Sequence, residues 1–148
     1  MTASRHPRDD DAQSLVLLVE PRGVRNQRHA QFLAQAGYRV SSIGGEHINV
    51  ADVLQQQPAV IAAELDHSGL IGTLNLAKQF RENPQGRLIP FIIYGHELRP
   101  HDIENAARAG ALWLQIEPTD GARLVAAVRG LIAASRKELT HDLPENGG

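Results

Sequence analysis

The chain has 148 residues, a formal net charge of −2 and no cysteine. This length fits one domain, and the lack of cysteine excludes disulfides and thiolate metal sites. Without a Lys/Arg block, a nucleic-acid-binding surface is not expected. No apolar run approaches the ~20 residues that a membrane span needs, and the polar start of the chain does not resemble a secretory signal. We therefore expect a cytoplasmic globular protein with neither nucleic acid nor membrane as its partner.

Apolar runs alternate with helical patterns in the first part of the chain. Residues 15–20 (LVLLVE) form a continuous apolar run, typical of a strand buried on both faces of a parallel sheet. A helical pattern runs from about 22 to 36 and ends at a glycine, which is common just past a helix. Residues 38–43 then alternate as a strand. Asn49 is placed to cap a short helix that must end near Pro58.

The same alternation continues to the end of the chain. Helical segments place apolar residues three or four apart, as Leu124, Val128 and Leu131 do. Either Thr119 or Asp120 is suited to cap the last helix. The remaining predicted strands are 59–63, 88–94 and 112–116, and the remaining helices are 69–81, 100–109 and 120 to about 137.

Five strand–helix units in strict alternation predict a doubly wound α/β fold, with a parallel sheet covered by helices on both faces. In such sheets, ligand sites form outside the carboxyl ends of the strands. The residues to examine for function are therefore those that follow the predicted strands. They are Glu20-Pro21, residues 64–68, Gly95-His96 and Glu117-Pro118.

Both ends of the chain are poor in apolar residues. Residues 1–13 are polar and charged, and 139–148 combine proline, glycine and acidic residues. Segments of this composition cannot bury enough apolar surface to order themselves. We expect disordered tails at 1–13 and 139–148 around one domain at 14–138.

Five segments in order carry a resemblance to a known family. They are LLVEPRG, FLAQAGYRV, PAVIAAELDHSGLIG, IPFIIYG and AGALWLQIEP. Together they resemble the receiver (CheY-like) domain of bacterial two-component response regulators, over roughly residues 14–137. The resemblance implies a flavodoxin-like sheet in the order 2-1-3-4-5. It also implies a part in phosphorelay signal transduction through protein–protein interaction.

The resemblance also indicates where the family places its phosphoryl site. There, an acidic pair after the first strand and an acceptor Asp after the third hold Mg²⁺, and a Thr/Ser and a Lys complete the site. In this chain those positions hold Glu20, Pro21, Glu64, Gly95 and Glu117. Mg²⁺ requires near-ideal octahedral geometry, which a lost ligand and a longer carboxylate both impair. We expect a degenerate phosphoacceptor pocket with weak or no Mg²⁺ binding, no cofactor and no enzyme activity.

Several interpretations of these carboxylates remain open. Glu64 either imitates a phosphorylated aspartate or is a solvated carboxylate in a pocket that has drifted. The second is favoured, because Gly95 and Glu117 replace the residues that would recognise such a mimic. One alternative is a receiver phosphorylated on the nearby Asp66. Another is a metal or small-ligand site, in which Glu20, Glu64 and Glu117 converge.

The histidines near the strand ends give weaker signals. His67 and His96 follow neighbouring strands, but two histidines without a spaced motif are a poor indication of zinc. His29, beside an apolar helix face, is interpreted as a boundary histidine with a hydrogen-bond partner. Ser68 is interpreted as a helix cap, because no base accompanies it.

The resemblance implies an interaction face as well. In the family, partners and second copies often bind the face formed by the fourth helix, the fifth strand and the fifth helix. Here we expect that face to expose Arg99, Arg108, Leu114 and Arg123. A protein partner or a homodimer is expected there.

Overall fold

The computed structural model describes residues 14–20, 27–44, 48–65, 70–95, 99–117 and 120–142. The strands are β1 (Leu15–Glu20), β2 (Arg39–Gly44), β3 (Val60–Glu64), β4 (Phe91–Gly95) and β5 (Leu112–Gln115). The helices are α1 (Gln27–Gln35), α2 (Val50–Gln56), α3 (Leu70–Glu82), α4 (Pro100–Arg108) and α5 (Gly121–Asp142), and Gly86–Leu88 form a 3₁₀ turn before β4.

The strands form one parallel sheet in the order β2-β1-β3-β4-β5. The predicted strand order and the doubly wound architecture are confirmed. Because all the strands are parallel, their carboxyl ends meet along one edge of the sheet, called here the carboxyl edge. The opposite edge is called the amino edge. The order reverses between β1 and β3, which is where ligands bind in open α/β sheets.

Helices cover the sheet on both faces and divide the core in two. On one face, α1 and α5 pack on alternate strand residues such as Leu18, Ala62 and Ile92. On the other, α2, α3 and α4 pack on the intervening residues, such as Ile61 and Ile93. Since β1, β3 and β4 are buried on both faces, their sequences are almost continuously apolar rather than alternating.

The helix ends carry the signals that the sequence predicts. The Asn49 side chain accepts hydrogen bonds from the backbone N–H groups of Ala51 and Asp52 and so caps α2. Asp120 Oδ1 accepts from the backbone N–H of Arg123 at the start of α5. Gly110, just past α4, has a φ of +80°, a left-handed conformation that favours glycine.

Two predicted boundaries are wrong. The strand expected over 88–94 begins only at Phe91, because residues 86–88 form a 3₁₀ turn that leaves Leu88 exposed. The last helix continues to Asp142, so residues 139–142 are helical where a disordered tail was expected. The residues expected to begin the first helix, 22–26, lie outside the described part of the chain.

The start of α5 is packed directly against α1, and this contact requires a glycine. A Cβ at Gly121 would overlap the ring of Phe32, whereas one at Gly130 would meet nothing within 4 Å. Gly121 therefore permits a close approach of the two helices, and Gly130 is a replaceable glycine on the same helix.

We expect Gly121→Ala to lower the free energy of unfolding by about 1–3 kcal/mol, the usual cost of overpacking. Gly130→Ala is the matched control and should raise it by about 0.5–1 kcal/mol, because alanine favours the helix. Urea unfolding monitored by circular dichroism measures both. Equal effects of the two substitutions would contradict the packing described here.

Candidate functional site

Two carboxylates lie side by side at the carboxyl edge. Glu20 ends β1 and Glu64 ends β3, and the preceding residues Val19 and Ala63 are register partners. Neighbouring strands lie about 4.8 Å apart, so the two glutamates leave the sheet at the same level. Both side chains are half-buried. Glu64 is in turn paired with Tyr94 of β4, and the Leu65 N–H donates to the Tyr94 carbonyl at 2.7 Å.

Tyr94 brings a buried hydroxyl to this edge. Its side chain is 1% exposed and meets the buried His29 of α1. The phenol oxygen lies 3.4 Å from His29 Nδ1, a long hydrogen bond whose direction depends on the histidine tautomer. The two rings stand edge to face, with centroids 5.1 Å apart. Tyr94 and His29 thus form a polar pair in the core beneath the strand-end carboxylates.

The environment keeps the Tyr94 hydroxyl protonated. Burial raises the pKa of Tyr94 well above its ordinary value, and the negative charges of Glu64 and then Glu20 raise it further. A phenolate here would be poorly solvated and repelled by both carboxylates. At neutral pH the site therefore combines two carboxylates with a neutral hydroxyl that can donate a hydrogen bond.

The other predicted site residues are more scattered. Gly95, directly after Tyr94, is half-buried and offers no side-chain donor. Glu117 lies two residues beyond β5 and is exposed. Glu20 and Glu64 therefore lie together at the carboxyl edge, whereas Glu117 is exposed on the surface. Pro21 lies outside the described residues.

Among the residues with assigned positions, no group of three or more His, Cys, Asp or Glu side chains is arranged to hold an ion. The protonated Tyr94 is not an anionic ligand either. Asp66, His67 and His96, considered above as a phosphorylation site or zinc ligands, lie outside the described residues, as does Ser68.

The expected interaction face differs in its details from the prediction. Arg99, Arg108 and Arg123 are exposed, but Leu114 is half-buried and packs against the core. The apolar surface of β5 comes instead from Leu112, 45% exposed, and Trp113, 38% exposed.

The sequence interpretation missed the role of Tyr94 and misjudged His29, which is buried rather than at a boundary. Strand alternation offered one signal. Tyr94 has the same parity in β4 as the buried Ile92, and Glu64 the same parity in β3 as Ala62, so both point to one face. Pairing them with each other needs the register of β3 against β4, which alternation alone does not give.

Solved receiver domains share this architecture. CheY4, a chemotaxis protein of Vibrio cholerae, is 20% identical, with a TM-score of 0.68 over 80% of this chain and 98% of that one. A CheY-like receiver domain protein from Methanospirillum hungatei JF-1 is 15% identical, with a TM-score of 0.70 over 85% and 98%. The receiver domain of a sensor histidine kinase from Pseudomonas aeruginosa PAO1, with a magnesium ion coordinated in its active-site cleft, is 24% identical, with a TM-score of 0.66 over 82% and 98%.

These likenesses establish the fold: the chain has the architecture of CheY-like receiver domains. No protein-family model matches the sequence, and no curated protein does. Of the helices in the described ranges, none combines the length and apolar character needed to cross a membrane.

The raised pKa of Tyr94 predicts a specific loss of stability in alkali. The folded-state pKa of Tyr94 lies above the unfolded value of about 10. The neutral phenol therefore contributes fully to the free energy of unfolding below pH ~10, and this contribution is lost as the pH rises further. The limiting slope is about 1.4 kcal/mol per pH unit. We expect the unfolding free energy of the wild type to fall more steeply above pH ~10 than that of Tyr94→Phe.

Denaturant unfolding between neutral and strongly alkaline pH measures this difference. Tyr38→Phe, which deletes the other tyrosine hydroxyl of the chain, is measured alongside as the control for the loss of a hydroxyl. The same slope in Tyr94→Phe and the wild type would show that the Tyr94 hydroxyl does not titrate as its surroundings require.

Proposed function

We propose that this chain, which has the receiver fold, is a pseudo-receiver module of two-component signalling that binds protein partners without being phosphorylated. The observation that carries the proposal is the composition of the carboxyl edge. Glu64 ends β3, where the family places its acceptor aspartate, and lies beside a second carboxylate and a buried neutral tyrosine.

The charges at this edge support the proposal. A transferring phosphoryl group needs positive charge around its oxygens. At the corresponding positions of this chain, Glu20, Glu64 and Glu117 carry negative charge, and Gly95 has no side-chain charge. The electrostatic effect of Glu64 and Glu20 on Tyr94 indicates that the local potential disfavours added negative charge. An incoming phosphoryl group would meet the same repulsion.

The same residues argue against Glu64 as a built-in phosphate mimic. A mimic acts by attracting a hydroxyl and an ammonium group, and the positions that supply them in the family hold Gly95 and Glu117. The hydroxyl that Tyr94 brings to this edge is held in the core beside His29 of α1 rather than placed on a surface loop. Glu64 is therefore assigned no signalling role.

The exposed edge strand β5 supports the proposal that the chain binds a protein partner. β5 is the last strand of the sheet and presents Leu112 and Trp113 to solvent. Exposed edge strands with apolar side chains readily bind other chains. Arginines 99, 108 and 123 are exposed in the flanking helices α4 and α5 and their caps. Aromatic residues and arginine are the types enriched in protein interfaces.

We expect no gain of phosphate when the wild type is incubated with acetyl phosphate and Mg²⁺ and its intact mass is measured. The physical reason is the lack of positive charge at the described acceptor site. A receiver domain that acetyl phosphate is known to phosphorylate, handled in parallel, controls for the phosphodonor. A phosphate on the wild type that is absent from Asp66→Ala would identify Asp66 as the acceptor and refute the proposal. A phosphate lost in Glu64→Gln would refute it too.

We expect Trp113→Ser to reduce the retention of partner proteins from a lysate of the native host, because the substitution removes the largest exposed apolar side chain of β5. Quantitative mass spectrometry of proteins retained by the immobilised chain measures the effect. Gln55→Ser, an exposed substitution on α2, is the control. Glu64→Gln should retain partners as the wild type does. Loss of the same partners in Glu64→Gln alone would instead favour the phosphate mimic.

A further inference from the structure

A cavity of about 410 Å³ opens at the amino edge, at the opposite end of the strands from Glu20 and Glu64. It lies where the end of α3, the 3₁₀ turn before β4 and the end of α4 come together. Clefts of about 300–1,000 Å³ are the usual size of binding sites for small organic molecules. The described residues that line it belong neither to the carboxyl edge nor to β5, so the cavity is a separate place on the molecule.

The inner wall of the cavity is aromatic. Phe80 of α3 and Phe91 of β4 both line it, and their rings pack with centroids 5.9 Å apart and an angle of 50° between the ring planes. Ala77 and Ala109 also line the cavity and are almost completely buried. Because both are alanines, little side-chain volume fills the space beside the two rings. A planar aromatic group in this space would add a third ring to an existing aromatic pair.

An exposed leucine extends this apolar surface to the mouth of the cavity. Leu88 is 76% exposed, the highest value among the large apolar side chains of the described residues. The turn that carries it is ordered, because the Asn83 side chain accepts hydrogen bonds from the backbone N–H groups of Gln85 and Gly86. A ligand that enters the cavity would remove part of the Leu88 side chain from water, which favours binding.

The charge at the mouth is positive. Arg81 and Arg87 line the cavity, and no acidic side chain of the described residues does. Nη1 of Arg81 donates a hydrogen bond to the Arg108 carbonyl at the end of α4. The stem of Arg81 passes over Gly110, where an added Cβ would lie 3.0 Å from the Arg81 Cδ. The fold therefore places the Arg81 guanidinium at the cavity and gives it a fixed anchor.

Both arginines have donors left for a ligand. The hydrogen bond of Arg81 uses one of the five N–H groups that a guanidinium carries. Arg87 is exposed, and within the described ranges neither arginine takes part in an ion pair. A guanidinium binds an oxyanion through two parallel, charge-assisted hydrogen bonds. The mouth of the cavity is therefore suited to a carboxylate, a sulfonate or a phosphate and repels a cation.

We propose that the amino-edge cavity binds a small aromatic oxyanion, with its ring against the phenylalanine pair and Leu88 and its charged group at the two arginines. Both parts of such a ligand are needed. A purely apolar ligand would leave the guanidinium groups without a partner, and an inorganic anion would leave the aromatic wall uncovered. This binding needs neither phosphate at the carboxyl edge nor a partner at β5, so it goes beyond the proposed function and is tested separately from it.

Amide NMR titrations of the full chain with 2-naphthoate test the proposal. We expect a dissociation constant of about 1 mM, which is usual for a ligand of this size, with saturable shifts at Gly86, Ile89 and Gly110. The neutral probe 2-naphthamide, which has the same shape, should bind there at least about threefold more weakly, because it lacks the charge. Inorganic phosphate should also bind at least about threefold more weakly than 2-naphthoate, because it lacks the ring.

Two substitutions of exposed residues separate the charge from the apolar contact. Arg87→Gln should weaken 2-naphthoate about three- to tenfold and leave 2-naphthamide unchanged, because it removes only a charged donor. Leu88→Ser should weaken both probes, because it removes apolar surface from the mouth. Arg129→Gln, at an exposed position of α5, makes the same change in net charge and is the matched control, which should bind both probes as the wild type does.

Three results would overturn the proposal. The first is the lack of a saturable shift at these amides up to about ten times the expected dissociation constant. The second is an equal affinity for 2-naphthoate and 2-naphthamide. The third is an Arg87→Gln chain that is less stable in urea but binds 2-naphthoate as the wild type does, because Arg87 would then serve the fold alone.

Discussion

The buried hydroxyl of Tyr94 sets the character of the carboxyl edge. It lies beneath Glu20 and Glu64, contacts His29 of α1, and keeps its proton because burial and both carboxylates oppose its ionisation. The neutral phenol is a hydrogen-bond partner for His29 and brings no positive charge to this edge. The edge where receiver domains neutralise a phosphoryl group therefore remains acidic in this chain, and that is the basis for assigning it a role independent of phosphorylation.

The parallel sheet separates the possible functions of the molecule in space. Glu20 and Glu64 lie at its carboxyl edge, the edge strand β5 exposes Leu112 and Trp113, and a cavity lined in part by Arg81 and Arg87 opens at its amino edge. Contacts at the last two places need no chemistry at the first. The protein binding proposed for β5 therefore does not depend on phosphoryl chemistry at the carboxyl edge, because different residues form the two surfaces.

The sequence was sufficient for the architecture but only partly for the site. Strict alternation of apolar runs and helical patterns predicted five parallel strands, and the glycine after α4 and the cap Asn49 marked helix ends correctly. The 3₁₀ turn at 86–88 was missed because Leu88 and Ile89 resemble the start of a strand. The Tyr94–His29 contact was missed because it depends on how α1 is placed against β4. The two residues are 65 positions apart in the sequence.

Amide NMR with beryllium fluoride and Mg²⁺, which together imitate a phosphorylated carboxylate, tests most directly the claim that the carboxyl edge no longer handles phosphoryl chemistry. Spectra of the wild type at millimolar concentrations of both reagents should show no saturable shift at Glu20, Glu64 or Gly95, because the described groups offer no positive charge to the analogue. The receiver domain of the Pseudomonas aeruginosa sensor histidine kinase, which coordinates a magnesium ion in its active-site cleft, is measured in the same way for comparison. Saturable shifts at these three residues, in slow exchange, would contradict the account.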